Sequence, residues 1–355
     1  MPRHRRPLSR IRWRMTRRAA KRRPATSSKW MSTGCPSRAA PWHQGARSVN
    51  GYTDSGHRAT GPHGWASGCS TLLPAALPVQ LCIGRGLGRM AHRLAGQRRA
   101  ITRRNLSLAF PELDKDARNQ LALEHFKALG ISVMEMGLGR WASDKWHLSV
   151  TRLEGAEHLR AAEEKGVGFI LLSAHFTTLE ISGRVLSLNC PPFAAVFRRN
   201  RSDFMTEVLR TGRERSATAT IEKNDIKMMV RSLRDGTPVW YAPDQSFNLK
   251  QSALLPFFGV PAMTNTATST LARLGKALVM PYFPRRLPEG GYVLTVLPPL
   301  DDFPGDDAAA DTARIVSLLE ERIRMCPEQY FWLHRKYKNL PAGYPDYYAD
   351  LDAWK

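Results

Sequence analysis

From residue 147 onward, short apolar runs alternate with segments of helical period, and that alternation limits the chain to few folds. Strands are expected at Leu148–Leu153, Gly166–Leu172, Phe193–Phe197, Thr218–Ile221 and Val239–Tyr241. Helices are expected between them, at Ala156–Lys165, Thr177–Leu188, Ser202–Arg215 and Asp225–Arg234. Strands that alternate with helices build βαβ units on a largely parallel sheet. Next come a long loop, Ser246–Pro261, apolar in its second half, and a helix at Thr266–Leu274. A strand pair, Ala277–Pro284 and Tyr292–Leu297, follows across Glu289-Gly290-Gly291, and Asp311–Met325 closes the pattern as a helix. Upstream, Gly84–Leu94 carries Leu87, Met90, Ala91 and Leu94 at helical spacing, Pro111 stands at a helix start, and Asp114–Gly137 carries a longer apolar stripe. Stripes of that kind face a core. The fold class is α/β: a central, largely parallel or mixed sheet flanked by helices.

In open α/β sheets, ligands bind beyond the carboxyl ends of the strands. His175, Arg198 and Asp244 all fall just after expected strands. His175 stands in the turn after the apolar run Gly166–Leu172, five positions before Glu180. On one regular helix those two would point about 140° apart, at about 100° per residue. They can cooperate only if His175 lies in the turn, outside the helix. A histidine held by a carboxylate is a general base with a partner that orients it. Thr177-x-x-Glu180 also matches a capping box, which gives Glu180 a plain role at a helix start. No serine or cysteine stands beside the pair as a nucleophile, which favours direct transfer to an acceptor hydroxyl over a covalent intermediate.

Five blocks occur in order along the chain: Ala174-His175-Phe176-Thr177-Thr178-Leu179-Glu180, Thr211-Gly212-Arg213-Glu214-Arg215-Ser216, Val239-Trp240-Tyr241-Ala242-Pro243-Asp244-Gln245, Pro256-Phe257-Phe258-Gly259-Val260-Pro261-Ala262, and Glu328-Gln329-Tyr330-Phe331-Trp332-Leu333-His334-Arg335-Lys336-Tyr337. Together they resemble the lipid A biosynthesis late acyltransferases, the lauroyl-transferase-like branch of the bacterial lysophospholipid acyltransferase superfamily. The resemblance covers about residues 65–345. It implies a glycerolipid-acyltransferase-like fold that needs no cofactor or metal. It implies transfer of a fatty acyl group from acyl carrier protein to a hydroxyl of a Kdo-bearing lipid A precursor, at the cytoplasmic face of the inner membrane. It assigns the catalytic dyad to His175 and Glu180 and places Arg213, Asp244 and Gln245 in the substrate site. Where the family often has an arginine-proline pair, this chain reads Arg198-Arg199, so Arg198 is carried as a substrate contact alone. Trp332, His334 and Tyr337 read as core or interface aromatics. A glycerolipid or a mannosylated lipid remains open as the acceptor.

Charge separates the body from what precedes it. Residues 1–60 hold fifteen Lys or Arg against one acid, Asp54, and residues 61–100 add five Arg and no acid. Of the net +22, the first hundred residues therefore carry +19 and the rest +3. Residues 1–60 lack apolar period and read as a disordered basic extension, one that an upstream start codon would explain. A nucleic-acid arm would account for the charge but not for a nearly neutral body carrying five ordered blocks, so no nucleic-acid partner is expected. Gly64–Gly84 lacks Asp, Glu, Lys and Arg and is the candidate membrane anchor, with Arg85, Arg89 and Arg93 after it on the expected cytoplasmic side. The acyltransferase domain then runs from 85 to 345, with a tail at 346–355. Five scattered cysteines without CxxC spacing read as reduced thiols.

Overall fold

The structure is a computed structural model that describes residues 77–197, 213, 216–247 and 251–354. The N-terminal extension, most of the candidate anchor, Arg198 and nearly all of the helix expected at 202–215 lie outside the described residues. The elements begin with four helices, α1 (Leu77–Leu94), α2 (Gly96–Ala109), α3 (Lys115–Trp141) and α4 (Asp144–Val150). The alternating part follows: β1 (Thr151–Glu154), α5 (Ala156–Glu164), β2 (Phe169–Leu172), α6 (Leu179–Asn189), β3 (Ala194–Phe197), β4 (Ala219–Glu222), α7 (Ile226–Arg234) and β5 (Val239–Tyr241). A hairpin, β6 (Ser252–Phe257) with β7 (Val260–Asn265), leads to α8 (Ala267–Gly275), β8 (Leu278–Arg286), β9 (Tyr292–Val296) and α9 (Ala308–Met325).

The main sheet has seven strands in the order β1-β9-β8-β2-β5-β3-β4. All neighbours are parallel except β8 and β9, so the sheet is mixed. Strand β2 sits at its centre and is buried along its whole length. Its side chains alternate between two covered faces. Phe169 and Leu171 pack with Leu159 and Ala162 of α5 and Val185 and Leu186 of α6. Ile170 and Leu172 pack with Met229 and Leu233 of α7 and Leu271 and Ala272 of α8. A strand buried on both faces must be apolar at every position, which is why β2 reads as an unbroken run.

Three elements differ from the sequence expectation. The run expected as a strand at 148–153 divides into the end of α4 and the strand β1, because Ser143 caps a helix by accepting from the Trp146 amide. Helix α2 was unforeseen; its mostly polar sequence hides the few residues it buries, Ile101, Leu106 and Ala109 among them. The apolar loop 246–261 contains the hairpin arm β6 instead. Phe257 pairs with Val260 across Phe258-Gly259, both with positive φ (52° and 76°), the geometry of a two-residue hairpin turn. Pro256 and Pro261 face each other in this two-stranded sheet, and prolines of that kind mask a strand signal.

Helix α1 packs on α3 by an unexpected face. A Cβ on Gly88 would lie 2.2 Å from the Phe126 carbonyl oxygen, and one on Gly130 would lie 2.0 Å from that of Gly84. The two helices therefore touch backbone to backbone, and the glycine face turns inward. Met90 and Leu94, expected to face a core, are 52% and 77% exposed.

Helix α3 is tied to the sheet by a buried ion pair. Arg286 of β8 donates from Nε and Nη2 to Glu135 at 2.7 and 2.8 Å, and the Tyr292 hydroxyl donates to the same carboxylate at 2.8 Å. Breaking a buried pair by removing one partner leaves an uncompensated charge. Glu135→Ala is expected to destabilise the fold by about 3–5 kcal/mol, measured as a shift in denaturant midpoint. Glu135→Met with Arg286→Met should cost clearly less than the single change. If the double variant is the worse of the two, the penalty does not come from the stranded guanidinium.

Candidate active site

The site is built by register. Strands β2 and β5 are parallel neighbours, with Leu172 opposite Tyr241, and the Ser173 amide continues the ladder by donating to the Tyr241 carbonyl at 2.9 Å. His175 lies three residues beyond Leu172, and Asp244 lies three beyond Tyr241. Equal overhangs on adjacent parallel strands bring the two side chains together at the carboxyl edge of the sheet. The His175 Nδ1 is 2.6 Å from Asp244 Oδ1, and the His175 amide donates to Oδ2 at 3.2 Å. One carboxylate thus grips both the ring and the main chain of the histidine. His175 is one-third exposed while the Asp244 side chain is 3% exposed, so the carboxylate is sealed and the imidazole faces out. Burial alone would raise the Asp244 carboxyl. The charge and hydrogen bonds of His175, with Lys336 beyond, outweigh that and hold it below its ordinary value. A carboxylate that stays ionised there favours the tautomer with its proton on Nδ1, leaving Nε2 to accept one.

Glu180 does not take the place expected for it beside His175. The helix N-cap falls at Thr178, one residue later than expected, and makes no side-chain cap. The Thr177 hydroxyl is buried without a hydrogen-bond partner, so the capping box does not form. The Glu180 carboxylate meets Arg213 Nη2 at 3.5 Å. The Arg213 guanidinium lies 6.0 Å from the Trp240 ring centroid. These two residues line a cleft of about 370 Å³, part of it open to solvent, with Trp240, Tyr282 and Phe193. Asp244 borders a different cleft of about 500 Å³, part of it open to solvent, whose walls include Leu172, Phe257, Phe283, Val316 and Leu319. The site therefore has two carboxylates on two clefts, with His175 bonded to one of them.

The C-terminal segment completes the site, and only one signal in the sequence, the last of the five blocks, pointed to it. The Phe331 amide donates to the His175 carbonyl at 2.9 Å, and the Thr177 amide donates to the Gln329 carbonyl at 2.8 Å. Phe176 and Tyr330 form an antiparallel bridge between them. The turn that carries His175 is thus clamped by main-chain hydrogen bonds from residues 329–331. Tyr330 is buried against Asp244, and that burial, with the nearby carboxylate, pushes its phenol well up. Gln245 donates to His334 Nε2 at 2.9 Å, and the His334 ring centroid is 6.4 Å from that of His175. Trp332 and Tyr337 are core residues as expected, whereas His334 is exposed at the site's rim.

Residues 65–339 match the family described as bacterial lipid A biosynthesis acyltransferase. The chain belongs to that family. It is 37% identical over 273 residues to the lipid A biosynthesis lauroyltransferase of Escherichia coli K12, covering 76% of this chain and 89% of that one. It is 34% identical over 268 residues to the palmitoleoyltransferase of the same organism, covering 75% and 87%. A lipid A biosynthesis acyltransferase of Haemophilus influenzae is 31% identical over 276 residues, covering 76% and 88%. The matched region of the family contains both clefts, the His175 turn and the C-terminal clamp. The protein is thus an acyltransferase of lipid A biosynthesis, and its fold is a mixed sheet flanked by helices. No helix among the described residues is long and apolar enough to cross a membrane.

Proposed function

We propose that the protein moves a fatty acyl group from acyl carrier protein to a hydroxyl of a Kdo-bearing lipid A precursor, with His175 as general base. The observation that carries this reading is the His175–Asp244 pair at the carboxyl edge of the sheet, its carboxylate sealed and its imidazole facing out beside an apolar cleft, in a chain of this family. Nε2 of His175 takes the acceptor's proton as the hydroxyl oxygen attacks the thioester carbonyl. The new C–O bond forms, the C–S bond breaks, and the proton passes from the imidazolium to the departing thiolate. Asp244 orients the ring and steadies the imidazolium while it exists. In the second cleft Glu180 fixes the guanidinium of Arg213, and Arg213 is an acceptor contact together with Arg198 and Gln245, which bind the anionic acceptor from elsewhere in the chain.

Helix α1 supports action at a membrane surface. Val79, Ile83, Met90 and Leu94 are all more than half exposed. At about 100° per residue they share roughly 60° of arc. Arg85, Arg89 and Arg93 form the neighbouring stripe, also exposed. An apolar stripe beside a cationic one suits an anionic lipid interface. The proposed location is the cytoplasmic face of the inner membrane.

The test is acyl transfer by the purified protein in mixed micelles, from acyl carrier protein to the Kdo-bearing precursor, read by mass spectrometry of the lipid. Turnover of a lysophospholipid but not of the precursor would overturn the acceptor. Arg213→Lys keeps the charge and loses the fork that fits a phosphate. It is expected to cost about tenfold in kcat/KM on the bis-phosphorylated precursor, the equivalent of about 1.4 kcal/mol, and little on a dephosphorylated one. Equal effects on both acceptors would remove phosphate recognition from Arg213.

A further inference from the structure

Lys336 is a buried charged residue beside the site whose chemistry the proposed reaction leaves unused. It is 4% exposed beside the buried Phe257 ring, in a position where an apolar side chain would be favoured. Its ammonium donates to the main-chain carbonyl of Asp244 at 2.6 Å and lies 4.5 Å from the Phe257 ring centroid. The same side chain borders the apolar cleft next to Asp244. Burial pushes the ammonium down to about 8, against the pull of Asp244 and Glu320. A buried cation kept at that cost, with its hydrogen bond spent on the residue that grips His175, breaks the rule for a core position. Such breaks concentrate at functional sites.

We propose that Lys336 is a positioning residue for acyl transfer: its ammonium pins the main chain of Asp244 and so fixes the carboxylate that holds His175. The proposal rests on the reading of His175 as general base. The geometry gives it a definite route. Asp244 follows Pro243 in an irregular segment after β5, where no strand ladder fixes its main chain. Its carboxylate is committed to two hydrogen bonds from His175, so a small movement of the Asp244 backbone tilts the imidazole. The anchor for that backbone comes from the C-terminal segment, which also bonds the His175 carbonyl through the Phe331 amide. Both halves of the pair are thus held from one side, by residues 331 and 336.

The test compares Lys336→Met, which removes donor and charge but keeps the volume, with Lys336→Gln, which keeps a donor without the charge. Both are measured in the wild-type and Asp244→Asn backgrounds, with thermal stability recorded alongside. Lys336→Met is expected to lower kcat by roughly 10–100-fold, the scale of a misplacement on the order of 1 Å, with both KM values nearly unchanged. Lys336→Gln should recover roughly tenfold of that loss, since an amide donor still reaches the Asp244 carbonyl. In the Asp244→Asn background, Lys336→Met should cost little more, because groups that act through one another are not additive. An undiminished loss in that background overturns the proposal. So does a folded Lys336→Gln protein no better than Lys336→Met, or a loss confined to KM. Should Lys336→Met not fold, Lys336→Gln alone decides: kcat within roughly tenfold of wild type supports the donor role, and a larger loss with intact folding refutes it. His175→Ala serves as the control, since wild-type turnover in that variant rejects the general-base reading whatever Lys336 does.

Discussion

His175→Ala is expected to lower the rate of acyl transfer by on the order of 10²–10⁴, the contribution of a positioned general base, with the protein still folded. The imidazole lies in a turn and is one-third exposed, so its removal opens no large cavity. It does take the ring hydrogen bond from Oδ1 of the Asp244 carboxylate, sealed at 3% exposure, while the amide of residue 175 still donates to Oδ2. A stability loss of about 1–3 kcal/mol is expected from the unpaired acceptor. The loss has a pH dependence whose sign is fixed. The Asp244 carboxyl is depressed in the folded protein. A depressed carboxyl stabilises the fold above its unfolded value, about 3.9, and that contribution disappears as pH falls through the folded value. Without His175 the contribution shrinks. The deficit of the variant should therefore be present above about pH 3.9 and fade as pH falls through the folded value of Asp244, as read by denaturant unfolding across the range. A deficit that stayed undiminished once the carboxyl is protonated would mean that the His175–Asp244 bond does not hold the carboxyl down. Full turnover in a purified assay would remove His175 from the chemistry.

The alternation of strands and helices was legible because β2, β3 and β5 are buried and apolar, and because Gly, Asp and Asn mark their ends. Asp225 was read as the first residue of its helix and proves to be the cap of α7, accepting from the Met228 amide at 3.0 Å. Tertiary pairings were less legible. The hairpin of β6 and β7 carries prolines that hide it, and the polar surface of α2 conceals the residues it buries. For α1, apolar spacing named the wrong inward face. A helix that approaches another through glycines inverts the usual rule, since contact distance and not hydrophobicity selects the face. In the site, positions were readable and partners were not. Linear spacing placed His175 in the turn and Asp244 after its strand. Which carboxylate reaches the imidazole depends on β2 and β5 being adjacent and in register, a long-range fact absent from local sequence. The hydrogen bond to Lys336 is hidden for the same reason, because it joins residues 92 positions apart.

Asp244→Asn is the change that separates the two carboxylates. Asparagine has the shape of aspartate, so the packing around residue 244 should survive. It lacks the charge that steadies an imidazolium and can present an N–H where the ring needs an acceptor, which favours the wrong tautomer. Loss of the orienting carboxylate in a hydrolase triad costs roughly 10⁴ in kcat. A loss of roughly 10²–10⁴ is expected here, carried by kcat. Glu180→Gln is the matched comparison. Its carboxylate faces Arg213 at 3.5 Å across a partly exposed contact, 23% and 21% open to solvent, so the pair itself is weak. Its loss should act on the binding of the acceptor, raising KM by several-fold more than it lowers kcat. Steady-state kinetics for both variants, with acceptor and donor varied in turn, tests the division. A kcat collapse in Glu180→Gln equal to that in Asp244→Asn would mean that Glu180 serves His175 during turnover. The clefts would then have to rearrange around bound substrate, and His175 would exchange one carboxylate for the other. A kcat effect confined to Asp244→Asn assigns the orienting role to the carboxylate already in contact.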